Sequence, residues 1–247
     1  MLRIIDARTG EPVDAAPARR GLTRVVAHAP GSDTSALRVL LVADLLVRTL
    51  ELGGTPVWAL LTGEREQAEL RAGAADLGIR PFEDSRDVSA GLGEAQVIQV
   101  AGKGVAVPEG VRVEVAQVDV EPSAGPAAGP GPFVGADPAA LRLALVSRER
   151  GTPLRLDAEA LGDAEETLAR WRRAVAGWAR KPSRPVPDEV RVQLRDAWED
   201  DLNVPEVLRL LRSVETSDLP DGARFETYAY ADRLLGLELT RDLGSPL

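Results

Sequence analysis

The stretch from Thr23 to Thr62 limits the fold of this chain more than any other, because it combines strand, loop, helix and strand patterns in that order. Residues 24–28 and 55–61 are short apolar runs that favour β-strands. Residues 36–52 carry apolar side chains around nearly the whole circumference of a helix, which ends at a pair of glycines. A helix of this kind is buried on several sides. The stretch therefore predicts a βαβ unit with parallel strands.

The loop at residues 29–35 is the first candidate for a binding site, because it opens onto the amino end of the predicted helix. Free N–H groups and the helix dipole at such an end can bind an anion. His28 ends the preceding strand, where open α/β sheets place their ligands. The residues that we predict to bind a ligand are His28, Pro30, Asp33, Thr34 and Ser35. The structural alternative is N-capping by Asp, Thr or Ser, with a histidine that only supports the strand end.

The remaining sequence predicts further strands followed by helices. Strand patterns occur near residues 2–5, 13, 95–100 and 111–120, and a polar helix is expected at 63–77. Residues 122–132 are rich in Gly, Pro and Ala, which is typical of a linker. The helical patterns beyond it cover residues 138–147, 157–180, 188–198, 205–214 and 222–237. We predict an α/β protein with a Rossmann-like parallel sheet domain at residues 1–132 and an all-α helical bundle at 133–247.

Composition excludes several kinds of site. The chain of 247 residues has no cysteine and one histidine, so disulfides, cysteine nucleophiles and multi-histidine metal sites are excluded and zinc is not expected. A net charge of −9 disfavours non-specific binding to nucleic acid. The first residues lack the pattern of a signal peptide, and the most apolar helix carries charged side chains within its span. We expect a cytoplasmic protein with no membrane partner.

Two further patterns each have a functional and a structural interpretation. Gly102-Lys103-Gly104 lacks the spacing of a phosphate-binding P-loop, and we predict a turn there. A basic cluster could contact an RNA stem or complement a helix carboxyl end, and we prefer the second interpretation. The cluster consists of Arg170, Arg172, Arg173, Arg180, Lys181 and Arg184. Trp171 and Trp178 share one helix face and are expected in the core.

Several segments, in order along the chain, resemble the cysteinyl-tRNA synthetase family of class I aminoacyl-tRNA synthetases, including the cysteine ligase of the mycothiol pathway. The helix at residues 36–52 resembles the helix after the family's HIGH-type signature, with Asp44 in a matching position. Residues 77–81 resemble an "LGxRP" phrase. Residues 137–143, 200–206 and 234–237 are similar to "DPxALRL", "DDLNTPEAL" and the closing phrase of the helical domain. The resemblance implies a HUP-type nucleotidylyl-transferase domain followed by helices.

The chain differs from the family at the positions that carry its chemistry. The family adenylates cysteine with ATP, using HIGH-type histidines and a KMSKS lysine at the phosphates and a zinc ion at the thiol. The HIGH-type position corresponds to Asp33-Thr34-Ser35-Ala36, no KMSKS segment is present, and the zinc-ligand cysteine falls about at His28. Each lost transition-state donor costs about 10²–10³ in rate.

These differences predict a shortened, degenerate paralogue that lacks aminoacyl-adenylate chemistry and acts by binding a small ligand, a protein partner or a second copy. We expect no cofactor. ATP is the only cofactor whose binding the fold could have retained. The alternative is an ATP-dependent cysteine or amino-acid ligase with a rebuilt active site. A module that binds tRNA or another RNA through the basic cluster is the least favoured hypothesis.

Overall fold

The structure of the protein, a computed structural model, describes residues 1–17, 22–62, 67–85, 96–121 and 136–244. The strands in these ranges are β1 Arg3–Asp6, β2 Glu11–Asp14, β3 Thr23–His28, β4 Val57–Thr62, β5 Glu83–Asp84, β6 Gln96–Gly102, β7 Val111–Val115, β8 Val118–Val120 and β9 Leu154–Leu156. The helices are α1 Thr34–Leu52, α2 Gln67–Asp76, α3 Pro138–Leu145, α4 Ala158–Trp178, α5 Asp188–Glu199, α6 Val204–Glu215 and α7 Asp221–Leu235. None of these helices is long and apolar enough to cross a membrane.

The predicted parallel sheet is confirmed. Five strands lie in the order β5-β4-β3-β6-β7, and every neighbouring pair is parallel. The chain therefore builds outward from β3 to one edge through β4 and β5, and then returns to β6 on the other side. This is the strand order of a Rossmann fold, with a topological switch point between β3 and β6. The α/β class with several further helices is the fold of this protein.

Helix α1 has the largest number of buried residues among the described helices, as its apolar pattern predicts, although the shorter α3 is buried to a slightly larger fraction. Of the 19 residues of α1, 13 are buried, including the charged Arg38 and Asp44. Asp44 is paired with Arg48 at 2.8 Å and with Arg80 at 3.2 Å. The buried carboxylate of Asp44 therefore has two ion-pair partners, which offset the cost of its desolvation.

The chain divides into two compact units. The first comprises Met1–Val118, Arg148–Leu154 and Glu199–Leu202, and it contains the parallel sheet. The second comprises Asp119–Ser147, Arg155–Trp198 and Asn203–Leu247, and it is mainly helical. The predicted linker at residues 122–132 lies outside the described residues, as does the boundary predicted after residue 132. The division at that boundary stays a prediction.

Arg38 explains why residues 148–154 belong to the first unit. Its guanidinium donates hydrogen bonds to the backbone carbonyls of Ala116, Arg148, Glu149 and Thr152 at 2.9–3.4 Å. Burial lowers the pKa of Arg38 to about 10, so the side chain remains charged at neutral pH. The carbonyl oxygens thus replace the water that a buried guanidinium has lost.

The core of the second unit contains Trp171, Trp178 and Tyr228, which confirms the interpretation of the tryptophan stripe. Both tryptophan rings meet Tyr228 edge-on, with centroids 5.7 and 5.1 Å apart. The Tyr228 hydroxyl donates to the carbonyl of Leu211 at 2.8 Å, and burial raises its pKa. From the basic cluster, Arg172 is buried and pairs with Asp137 at 2.6 Å.

The structure differs from the sequence predictions at short strands. Residues 117–120 were expected to continue β7, but β8 instead pairs with β9 in a separate two-stranded sheet. Neither the three-residue β9 nor the two-residue β5 was predicted, because alternation of apolar and polar residues is informative only over about four to eight residues. Their strand conformation depends on a partner that is distant in sequence.

Candidate functional site

A cavity of about 440 Å³ lies at the carboxyl ends of β3, β6 and β7, next to the amino end of α1. It is lined by residues from the segments that follow these three strands and by the first turns of α1. This is the topological switch point of the sheet, where open α/β sheets bind their ligands. The sheet order therefore places the cavity where sheets of this type bind their ligands.

The structure brings most of the predicted ligand-binding residues together. The side of the cavity formed by the β3–α1 segment includes His28, Pro30, Asp33 and Ser35. Thr34 is the first residue of α1 but is not among the residues that line the cavity. The ligand-binding role of all five residues stays a prediction.

His28 is held by two hydrogen bonds to neighbouring strands. Its Nε2 lies 2.7 Å from Oε1 of Gln99, and its Nδ1 lies 2.7 Å from the hydroxyl of Thr62. The buried Gln99 donates through its amide nitrogen to the carbonyl of Glu109 at 3.1 Å, so its oxygen accepts a hydrogen bond from the N–H at Nε2 of His28. Both ring nitrogens of His28 are thus used to fix the ring at the end of β3.

Asp33 is the N-cap of α1, which confirms the structural interpretation of this residue. Its Oδ1 accepts a hydrogen bond from the backbone N–H of Ala36 at 2.8 Å, and its backbone is extended with φ −75° and ψ 175°. Ser35 also forms an internal contact, because its Oγ accepts from the N–H of Val118 at 3.0 Å. Asp33 nevertheless places one negative charge at the cavity.

Lys103, which follows β6, also lines the cavity and was not predicted as a site residue. Residues 102–104 form the turn that was expected after β6, in which the Lys103 N–H donates to the carbonyl of Val115 at 3.0 Å. The side chain of Lys103 is exposed and lines the cavity. The available sequence signal was its position after a buried strand, since the carboxyl ends of parallel strands meet at one edge of a sheet.

The charges at the cavity are nearly balanced. Asp33 contributes one negative charge and Lys103 one positive charge. A nucleoside triphosphate carries several negative charges and would meet a single lysine together with the repelling carboxylate of Asp33. The electrostatics therefore favour a ligand with little net charge over a ligand with a free triphosphate.

The described residues offer no cluster of side chains for a metal ion. Within the described ranges, no group of three or more His, Asp or Glu side chains is arranged to hold a metal ion. His28 would also have to break a hydrogen bond to Gln99 or Thr62 before it could coordinate one. The expectation that the protein binds no zinc stays a prediction.

Comparison with known proteins supports the resemblance to the cysteine ligases. No model of a protein family matches the sequence. The chain is 37% identical over 111 residues to the L-cysteine:1D-myo-inositol 2-amino-2-deoxy-alpha-D-glucopyranoside ligase of Streptomyces griseus, a match that covers 42% of the chain and 26% of that ligase. The ligases of the same name from Acidothermus cellulolyticus and Streptosporangium roseum are 37% and 35% identical over 106 and 109 residues.

These matches cover less than half of the chain and about a quarter of each relative. They cover 42% of the chain, which spans only 25–26% of the length of these three relatives. They support a relationship to a class I synthetase-like group of ligases. They do not support the further prediction that the chain is catalytically degenerate.

Proposed function

We propose that this protein is a relative of the cysteine ligases that binds a small ligand in the cavity at the ends of β3, β6 and β7. The observation that carries the proposal is the position of this cavity at the switch point of a Rossmann-type sheet. A volume of about 440 Å³ is large enough for an amino acid or a nucleoside. We retain the small-ligand part of the sequence prediction because the cavity supports it.

The residues at the cavity favour binding without adenylation. Asp33, which stands in the HIGH-type position, uses its carboxylate to cap α1, and no histidine donor is available at that place. The single histidine is committed to Gln99 and Thr62. Because donors aimed at developing phosphate charge are often the largest contribution to catalysis, their replacement argues against activation of an amino acid.

An ATP-dependent cysteine or amino-acid ligase is the second candidate, and the comparisons support it better than they support a protein without activity. The three relatives described above are cysteine ligases by name. Lys103 would be the cation available to ATP in a rebuilt site. Cysteine-dependent exchange of pyrophosphate into ATP distinguishes the two candidate functions, because only a ligase would catalyse it. Exchange clearly above a blank, and lost when the cavity is blocked, would establish the ligase.

A tryptophan at position 31 is the sharpest test of the binding site. Gly31 lines the cavity, has no positive φ, and a Cβ atom at this residue would meet no atom within 4 Å. Gly31→Trp should therefore fold and fill the cavity. Gly162→Trp is the matched control, because Gly162 lies in α4 and its Cβ position is equally open.

The binding measurement is isothermal titration of both variants and the unmodified protein with AMP, ATP, adenosine and L-cysteine. We expect at least one of these compounds to bind the unmodified protein and Gly162→Trp, and to bind Gly31→Trp at least about tenfold more weakly, since a filled cavity loses most of its contacts. Equal affinity for the two variants, or no binding by any of the four compounds, would contradict the proposal.

A further inference from the structure

The backbone of Lys103, which lines the cavity, is held in place by hydrogen bonds. This residue follows β6 directly, and β6 lies beside β3 with Ala101 opposite His28. The turn is closed by a hydrogen bond from the N–H of Val105 to the carbonyl of Gly102 at 3.1 Å, and Gly104 adopts a φ of 81° that favours glycine. The bond to Val115 ties the same turn to β7. The Cα position of Lys103 is therefore fixed by hydrogen bonds to the sheet.

The ammonium group of Lys103 has no ion-pair partner in the part of the chain that the structure describes. Other cations of the first unit do: Arg48 and Arg80 pair with Asp44, and Arg150 pairs with Asp201. Asp33 lines the same cavity, but its Oδ1 is bonded to the N–H of Ala36. The cavity thus presents one cation that forms no ion pair with any described residue, with the Asp33 carboxylate on the same cavity as the countercharge.

We propose that Lys103 is the anion-binding residue of the cavity, and that the ligand carries one anionic group, a carboxylate or a phosphate monoester, at this place. The proposal rests on the proposed function, because it assumes that the cavity is occupied by a ligand. A carboxylate carries one negative charge, which matches a single lysine, and a phosphate monoester carries at most about two. Each further phosphate would bring more uncompensated charge towards Asp33. The affinity then depends on charge and decreases with salt.

Chemical labelling can test this directly, because Lys103 and Lys181 are the only lysines of the chain. The protein is acetylated with an amine-reactive ester in the presence of AMP, L-cysteine or adenosine, and the labelled peptides are quantified by mass spectrometry. AMP tests a phosphate monoester, L-cysteine tests a carboxylate, and adenosine has neither group. Labelling of Lys103 is expressed relative to Lys181 in the same sample, because the amine and thiol of L-cysteine consume part of the ester. We expect AMP or L-cysteine to lower this ratio and adenosine to lower it less.

Affinity measurements on variants complete the test. Lys103→Ala should weaken binding of the protective compound about tenfold, because hydrogen bonds to charged groups have about this effect. Lys103→Arg should retain most of the affinity, and Lys181→Ala should retain all of it. Added salt should weaken binding to the unmodified protein and have little effect on Lys103→Ala.

The outcomes separate the two proposals. If AMP and adenosine bind equally well, and Lys103→Ala binds both as the unmodified protein does, the inference about Lys103 is wrong while the proposed function stands. If ATP binds much more tightly than AMP and requires Lys103, the limit to one anionic group is wrong. If none of the compounds binds the unmodified protein, both proposals fail.

Discussion

Asp33 has two physical effects that single substitutions can separate. Its side chain accepts the hydrogen bond that caps α1, and its charge lies at the wall of the cavity. Capping requires a hydrogen-bond acceptor but no charge, because Asn and Asp are about equally good N-caps. The negative charge is therefore not needed for the helix.

We expect Asp33→Asn to unfold in urea with a free energy within about 0.5 kcal/mol of the unmodified protein, whereas Asp33→Ala should lose about 1 kcal/mol. Asp157 caps α4 with the same hydrogen-bond pattern, accepting from the N–H of Ala160 at 2.9 Å, and is not among the residues that line the cavity. Asp157→Asn is thus the control for the charge. Only Asp33→Asn should strengthen the binding of AMP, and an unchanged affinity would show that its charge is irrelevant to the site.

The site was predictable where its residues are close in sequence and not where they are distant. His28 ends β3, Pro30 and Asp33 lie in the connecting loop, and Ser35 is in the first turn of α1, so one continuous sequence pattern was enough to group them. Lys103 reaches the same cavity only through the pairing of β6 with β3, which no local pattern reveals. The bonds that fix His28 to Gln99 and Thr62 depend on the same pairing.

At the scale of elements, α1 contributes 13 buried residues to the first unit, more than any other described helix contributes to either unit. Leu41 is fully buried and Leu45 is 2% exposed, and both lie in the middle of the helix. The strong apolar pattern of α1 also explains why the first and last residues of this helix were predicted to within two positions. The short β5, β8 and β9 have no such pattern, and their pairing comes from long-range contacts.

Leu41→Ala and Leu45→Ala should each lower the free energy of unfolding by about 2–5 kcal/mol, because the deleted atoms leave a cavity that the packed helix cannot close. Val192→Ala in α5 is the control, since Val192 is 53% exposed and its truncation should cost less than about 0.5 kcal/mol. Urea unfolding followed by circular dichroism measures all three. Losses below about 1 kcal/mol for both leucine variants would contradict the packing described for α1.

At the scale of the whole molecule, acid should destabilise the protein through carboxylates whose pKa values are lowered by folding. The Arg8 side chain hydrogen-bonds Asp6 and lowers its pKa. Burial of Asp137 acts in the opposite direction, but hydrogen bonds from Arg172 and the N–H of Ala139 bring its pKa below the usual 3.8. A carboxyl group of this kind binds protons more readily in the unfolded chain. Its stabilising effect is therefore complete above the usual pKa and is lost as the pH falls through the lower, folded value.

Asp137→Asn tests this effect in the second unit, where Asp137 caps α3 and pairs with Arg172 at 2.6 Å. Asparagine keeps the cap but leaves the buried Arg172 without its anion, so the variant should be about 1.5–3 kcal/mol less stable at pH 7. The difference should shrink towards zero as the pH falls below 3.8, because the carboxyl group of the unmodified protein then becomes neutral as well.

Asp218→Asn, at an exposed position, is the control and should leave the pH dependence unchanged. Urea midpoints between pH 7 and pH 2.5, followed by tryptophan fluorescence, provide the comparison. A difference between Asp137→Asn and the unmodified protein that stays constant over this range would show that the pair with Arg172 does not lower the pKa of Asp137.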